Sequence, residues 1–93
     1  MKSLQSFSTG VLAEIVRRQP ASEQRTAFAW QLAVGPVLAR ATTVELGDGG
    51  VLSVRAADQR WVVEIERARD TVLLKMQHLL GRDQVIRIKT RRT

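Results

Sequence analysis

The chain has 93 residues, 44% of them hydrophobic and 26% charged, which suits a single globular domain over residues 1–93 and excludes an intrinsically disordered protein. Fifteen Lys and Arg, twelve of them Arg, against nine Asp and Glu give a formal net charge of +6, and this balance favours an anionic partner such as nucleic acid. The sequence has no cysteine, no apolar run near the ~20 residues of a membrane span and no secretory signal, so we expect a cytoplasmic protein without disulfides.

The N-terminal part of the chain predicts one helix after a flexible segment at residues 1–6. This helix runs from Phe7 or Ser8 to Arg18, because apolar residues recur there at helical spacing, and Pro20 ends it. Its apolar positions are Phe7, Val11, Leu12 and Ile15.

A second helix is predicted from the N-cap residue Ser22 onward. Trp30 lies on its apolar face. Gly35 and Pro36 stop it, since glycine suits helix ends and proline cannot continue the ladder of hydrogen bonds. We expect one further helical turn after Pro36.

Alternation of apolar and polar residues predicts a β-hairpin, with strands at 42–47 and 51–57 around a three-residue loop at 48–50. The expected register pairs Leu46 with Leu52 and Val44 with Val54 on the inner face, and places Thr43, Glu45, Ser53 and Arg55 on the outer face. Residues 47–50 match the Gly-x-x-Gly loop of KH domains in form only. They join two strands rather than two helices, so we interpret them as a tight turn with positive φ.

A long helix is predicted over residues 59–80, with Asp58 as its N-cap and Gly81 as its end. At the usual rise it would be ~33 Å long, about the diameter of a small domain. A bend between Ala68 and Asp70, with Asp70 as a second N-cap, is compatible with this length, and the pattern leaves one helix or two open. The apolar stripe consists of Trp61, Ile65, Ala68, Val72, Met76, Leu79 and Leu80.

The last predicted strand covers residues 84–90, with Ile86 and Ile88 inward, Arg87 and Lys89 outward, and a flexible end at 91–93. The element order is then α-α-β-β-α-β. Three strands with helices on one face make a two-layer α+β domain. The predicted core consists of Trp30, Val44, Leu46, Leu52, Val54, Ile65, Val72, Met76, Ile86 and Ile88.

No residue has a setting that indicates catalysis or metal binding. His78 is the only histidine, and without a second His or a Cys it is an ordinary helical residue. Glu64 and Glu66 are two apart on a helix, so they point to different faces and cannot act as an acid–base pair. We therefore expect a protein that is not an enzyme and holds no metal or cofactor.

The candidate functional surface is the outer face of the predicted sheet, where cations from two strands meet Glu45 as the only anion. Such a stripe can follow phosphates, and guanidinium groups can stack on unpaired bases. The alternative is a solvated edge whose charge blocks strand pairing. The absence of interleaved aromatic residues argues against a sequence reader of the RRM type. The candidate residues are Arg55, Arg87, Lys89 and Arg91 on the face, Arg60 at the adjoining helix start, and Arg92 at the edge.

The two tryptophans, Trp30 and Trp61, lie on apolar helical faces, which predicts core packing for both. Trp61 lies in the first turn of its helix, where it could instead anchor a partner.

Several short motifs follow one another along the chain: Trp30-x-x-x-Val34-Gly35, Leu52-x-Val54, Asp58-x-x-Trp61-x-x-Glu64-Ile65, Leu73-Leu74 to Leu79 and Gly81, and Val85-x-x-Ile88. In this order and spacing they resemble the DciA family, over roughly residues 8–90. The resemblance implies a KH-like α+β domain and a role in bacterial replication. Members of the family interact with the replicative helicase of the DnaB type and promote its loading onto single-stranded DNA. They bind DNA and are not ATPases, and the lack of a Gly-x-x-x-x-Gly-Lys loop here agrees with that.

The positions that match the family are Trp30, Gly35 and Trp61, which we interpret mainly as scaffold. The resemblance and the charge together predict a non-enzymatic, nucleoid-associated replication factor that binds single-stranded DNA and the helicase, and that helps to load it. The alternatives are a KH-like RNA-binding module and a protein–protein adaptor that binds no nucleic acid.

Overall fold

The computed structural model describes residues 9–93. In chain order, the elements are α1 (Thr9–Arg18), α2 (Glu23–Val34), α3 (Pro36–Arg40), β1 (Thr42–Leu46), β2 (Val51–Ala56), α4 (Gln59–Arg67), α5 (Arg69–Leu80) and β3 (Arg87–Arg92). Within the described residues, the three strands form one sheet in the order β1-β2-β3. β1 is antiparallel to β2, and β2 is parallel to β3. The helices cover one face of this sheet, so the predicted two-layer α+β fold is confirmed.

The ends of α2 follow the predicted signals. The Ser22 hydroxyl accepts a hydrogen bond from the Arg25 amide at 3.0 Å, which satisfies one of the free N–H groups at the helix start. Gly35 ends α2 at φ +89° and precedes α3, a conformation that a residue with a Cβ adopts at a cost. The expected further turn after Gly35 is α3, which begins at Pro36. The preceding helix, α1, ends at Arg18 as predicted, while Phe7 and Ser8 lie outside the described residues.

The hairpin has the predicted register, with Leu46 opposite Leu52 and Val44 opposite Val54. Its turn is tight because Gly49 and Gly50 have φ values of +80° and +79°. A Cβ on Gly50 would lie 2.6 Å from Cγ1 of Ile86, so the turn also passes very close to the segment before β3. The interpretation of this glycine motif as a turn is confirmed.

The long helical segment is split into α4 and α5 at Ala68, within the predicted bend. Asp58 caps α4 as predicted, because its carboxylate accepts a hydrogen bond from the Arg60 amide at 2.8 Å. The prediction of Asp70 as a second N-cap is wrong. The chain changes direction at Ala68, which has φ −98° and no capping side chain, so Asp70 lies inside the first turn of α5.

The last strand starts later and continues further than the sequence predicted, so β3 includes Arg91 and Arg92. The inward placement of Ile86 is wrong, because this side chain is 53% exposed. Its amide donates to the Gly50 carbonyl at 2.7 Å, which holds it over the hairpin turn before the strand begins. Val85 is buried in its place.

The core lies between the inner sheet face and the helices. Trp30 is 2% exposed, and its indole N–H donates to the Thr42 hydroxyl at 2.9 Å. That hydroxyl donates to the Leu38 carbonyl at 2.8 Å, so the polar groups around the indole are paired. Most of the predicted core is confirmed; Val44 and Leu46 are half-buried against it.

The predicted apolar face of α1 is wrong in part. Among the described side chains of this helix, Val16 is fully buried, whereas Val11 and Ile15 are close to half exposed. Phe7 and the side chain of Leu12 lie outside the described part of the chain. The periodic pattern identified the helix but misjudged the side that meets α5, because packing selects the face.

Candidate nucleic-acid interface

The outer sheet face brings together residues that are far apart in sequence. Because β2 is central, its residues have a neighbour on each side, which makes rows across the sheet. One row is Thr43, Arg55 and Arg91, and the next is Glu45, Ser53 and Lys89. The other face of β2 is covered by the helices, where Leu52 and Val54 are buried. The outer face is therefore open and carries cations from β2 and β3.

A small depression lies within these rows. It has a volume of about 60 Å³ and is lined by Ser53, Arg55, Lys89 and Arg91. Three of the four lining residues are cationic, and the fourth, Ser53, has a hydroxyl that can donate a hydrogen bond. A lining of guanidinium, ammonium and hydroxyl groups is suited to an oxygen-rich anion such as a phosphate.

The cations of the outer face are not neutralised within the described part of the protein. Ion pairs there engage other arginines: Arg18 with Glu14, Arg60 with Asp58, and Arg69 with Glu66. The side chains of Arg55, Arg87, Lys89 and Arg91 are exposed and make no ion pair with a described residue. They are free to meet an external anion.

Arg87, Lys89 and Arg91 alternate along β3 with residues of the inner face. Residues two apart on a strand are separated by about 6.5 Å. This repeat is close to the separation of successive phosphates along an extended single strand, so the stripe matches a nucleic-acid backbone in spacing as well as in charge.

The two remaining predicted cations lie off the outer face. Arg92 pairs with Ala56, whose side chain is buried under the helices, so Arg92 starts from the helix side of the sheet edge. Arg60 lies in the first turn of α4, where its guanidinium carbon is 5.2 Å from the centre of the Trp61 ring and its head pairs with Asp58 at 3.4 Å. Because β2 and β3 are parallel, both residues lie at the end of the sheet where Arg91 also lies.

The three residues on which the family resemblance was based differ in accessibility. Trp30 is buried, and Gly35 joins two helices with a positive φ, so both support the fold. Trp61 is half-buried and carries Arg60 over its ring, which leaves part of the indole open at the end of the sheet.

Ser53 is the residue that sequence reasoning missed as a site component. The hairpin register already placed it on the outer face. Its position beside Lys89 depends on the parallel pairing of β2 with β3, and α4 and α5 set that pairing through tertiary packing.

Other kinds of site have little support in the described residues. No group of His, Cys, Asp or Glu that could hold a metal ion occurs among them. His78 is exposed, and its backbone carbonyl accepts a hydrogen bond from Arg17 at 2.6 Å. Among these residues, no helix combines the length and the apolar character that a membrane crossing requires.

Comparison with known families decides the relationship. The family model described as "Dna[CI] antecedent, DciA" matches residues 4–90. The chain belongs to the DciA family. No curated protein and no solved structure matches it.

Membership in the DciA family implies a helicase-loader role in DNA replication. DciA proteins are replication accessory factors and are not known as catalysts. The match covers β1, β2 and residues 87–90 of β3, so it includes Arg55, Arg87 and Lys89 of the basic outer face and ends before Arg91.

Proposed function

We propose that this protein is a non-enzymatic DciA-type replication factor that holds single-stranded DNA on the outer sheet face and binds the replicative helicase of the DnaB type. The observation that supports the DNA part is the exposed face on which Arg55, Arg87, Lys89 and Arg91 make no ion pair with any described residue. Arg60 and Arg92, at the same end of the sheet as Arg91, extend the contact. Binding of this kind would place the protein at the nucleoid.

The proposed contact is to the backbone and is independent of base sequence. Phosphate contacts position a strand, whereas base edges carry the sequence information. Among the described residues, the outer face presents cations, hydroxyls and the Glu45 carboxylate but no aromatic ring on which a base could stack. Specificity for the replication fork would then come from the helicase partner.

The helicase would contact the helical layer, since DNA occupies the opposite face. The two partners could then bind at the same time, as a loading factor requires. Trp61, half-buried at the end of the sheet, is the aromatic residue best placed to take part.

The decisive experiment replaces Arg87 and Lys89 together by Glu. Fluorescence anisotropy with a labelled single-stranded oligonucleotide should show that binding is abolished at physiological salt, because two phosphate contacts become repulsive. The fold should persist, since both side chains are exposed. The matched control is Lys75→Glu with Arg82→Glu, which makes the same change of charge on exposed positions of the helical layer. Equal affinities of wild type and the Arg87/Lys89 variant in a salt-matched titration would contradict the assignment.

Two further measurements separate the rival functions. Affinities for single-stranded DNA and RNA of the same sequence distinguish a DNA factor from an RNA-binding module. Titration of the replicative helicase, with and without single-stranded DNA, tests the partner. Saturable helicase binding without any nucleic-acid binding would instead indicate an adaptor.

A further inference from the structure

Neither edge of the sheet pairs with a further strand from the described part of the chain. Within the described residues, β1 and β3 each pair with β2 alone. The Gly47 amide donates to the Val51 carbonyl, and since antiparallel pairs alternate, the backbone groups of Thr42, Val44 and Leu46 point away from β2. Unpaired strand edges of this kind are templates for a further strand.

The same reasoning identifies the free groups of β3. The Thr93 amide donates to the Ala56 carbonyl, which with the parallel register directs alternate residues of β3 toward β2. The residues left facing the free edge are Ile88, Thr90 and Arg92. On both edges, therefore, the free backbone groups belong to residues whose side chains point toward the helical layer.

The two edges carry opposite charge. β1 has Glu45 on the outer face and no cation. β3 has Arg87, Lys89, Arg91 and Arg92. Two β3 edges would repel each other, because like charges directly opposite in a sheet are unfavourable. The charge of the β3 edge therefore disfavours pairing with a second β3 edge, whereas it is complementary to the charge of the β1 edge.

We propose that copies of this protein associate head to tail, with β1 of one copy pairing antiparallel with β3 of the next. Residues whose backbone groups point to the free edge of β1 are placed opposite the corresponding residues of the partner's β3. In this register all five residues of β1 have a partner residue. Val44 lies opposite the partner's Thr90, and Leu46 opposite the partner's Ile88. Glu45 lies opposite the partner's Lys89, and Thr43 opposite the partner's Arg91.

This register has three favourable properties. Glu45 and the partner's Lys89 form a pair without backbone hydrogen bonds, in which side chains lie closest. The apolar pair of Leu46 and the partner's Ile88 is on the helical side, which continues the core. Open depressions of about 520 and 400 Å³ border β1, lined in part by Thr42, Val44 and Leu46, and they leave room for the incoming side chains.

Repetition of the contact has a functional consequence, which rests on the proposed DNA binding. A heterologous contact that does not close produces an open array. In this register all outer faces lie on the same side, so their basic rows form one continuous surface. Each copy has a formal net charge of +6, so free copies repel one another. A single strand of DNA would offset that repulsion and make binding cooperative.

Cysteine cross-linking tests the pairing directly, since the natural chain has no cysteine. Thr43→Cys with Arg91→Cys leaves the Glu45–Lys89 pair intact. Within one copy these positions are two strand spacings apart, about 9.6 Å, which is beyond the ~7 Å limit for a disulfide. Mild oxidation should therefore yield a ladder of dimers, trimers and larger species on a non-reducing gel, increased by a long single-stranded oligonucleotide.

The matched control is Thr43→Cys with Arg87→Cys, because Arg87 lies about 13 Å along β3 from Arg91. It should give a severalfold weaker ladder. Equal ladders in the two variants, or no ladder in either, would overturn the proposal. A ladder without affinity for DNA would support the strand pairing and contradict the proposed DNA function. DNA binding without a ladder would support the DNA function and contradict the strand pairing.

A charge swap provides the second test. Glu45→Lys should reduce cooperativity on a long strand severalfold while leaving affinity for a short oligonucleotide equal or higher. Unchanged cooperativity in Glu45→Lys would contradict the register.

Discussion

Single residues decide the geometry of the turn between β1 and β2. Gly49 and Gly50 have nearly the same positive φ, but only Gly50 has a crowded neighbourhood. Apart from Gly49 itself and its chain neighbours, no atom of residues 9–93 lies within 4 Å of a Cβ on Gly49, whereas a Cβ on Gly50 would meet Ile86 and the carbonyl of Gln84. The two positions therefore separate backbone strain from steric overlap.

We expect Gly49→Ala to lower the free energy of unfolding by about 1–2 kcal/mol, the cost of a left-handed conformation for a residue with a Cβ. Gly50→Ala adds a steric overlap, so its loss should be roughly 2–4 kcal/mol. Urea denaturation of both variants measures the difference. Equal losses would show that Ile86 moves aside without cost.

Ile86 also shows where sequence reasoning at the residue scale reaches its limit. Alternation with Ile88 predicted an inward side chain, since period-2 patterns signal strands. The alternation does not reveal where a strand begins. The bond from the Ile86 amide to the Gly50 carbonyl connects residues 36 apart in sequence, so this bond, and with it the exposure of Ile86, follows from tertiary structure.

At the scale of elements, the helix ends were predictable because their signals are local. Ser22, Asp58 and Gly81 each act within one turn of the helix that they end or begin. The buried face of α1 and the start of α5 were not predictable, because neighbouring elements determine which side of a helix is buried and where the chain bends. Ala68 has no capping side chain and nevertheless stands at the N-cap position of α5.

Asp58 gives a direct test of a capped element. Replacement by Ala removes the bond to the Arg60 amide and should lower the free energy of unfolding by ~1 kcal/mol. Asp58→Asn keeps an accepting oxygen and should retain most of that stability. Thermal and chemical unfolding of the two variants measure this, and equal losses would show that the charge, through the pair with Arg60, matters more than the cap.

For the whole molecule, the decisive quantity is the number of phosphates that the basic face engages. If binding follows the backbone, the logarithm of the binding constant should fall linearly with the logarithm of salt concentration, by about 0.7 per phosphate for a single strand. Arg87→Gln should reduce the slope by about 0.7 with little dependence on base sequence. Titrations at several salt concentrations measure it. A slope that Arg87→Gln leaves unchanged would place the DNA elsewhere.

The content of the basic face was largely predictable, and its arrangement was not. Alternation within β3 placed Arg87 and Lys89 on one side, and the hairpin register placed Arg55 there. The rows that join Ser53 to Lys89 and Arg55 to Arg91 needed the parallel pairing across α4 and α5. No local pattern encodes a register over that distance.

The central position of β2 bears on the order in which the chain folds. Its pairing with β1 closes a short loop, whereas its pairing with β3 must first enclose both α4 and α5. Contacts between sequence-distant residues form more slowly, because the entropy cost of closing the loop comes before the stabilisation that the contacts provide. The hairpin can therefore form early, before β2 pairs with β3. In such an intermediate the arginines of β2 and β3 would not yet lie on one sheet face. The ability to bind single-stranded DNA would therefore appear only when β3 has joined the sheet.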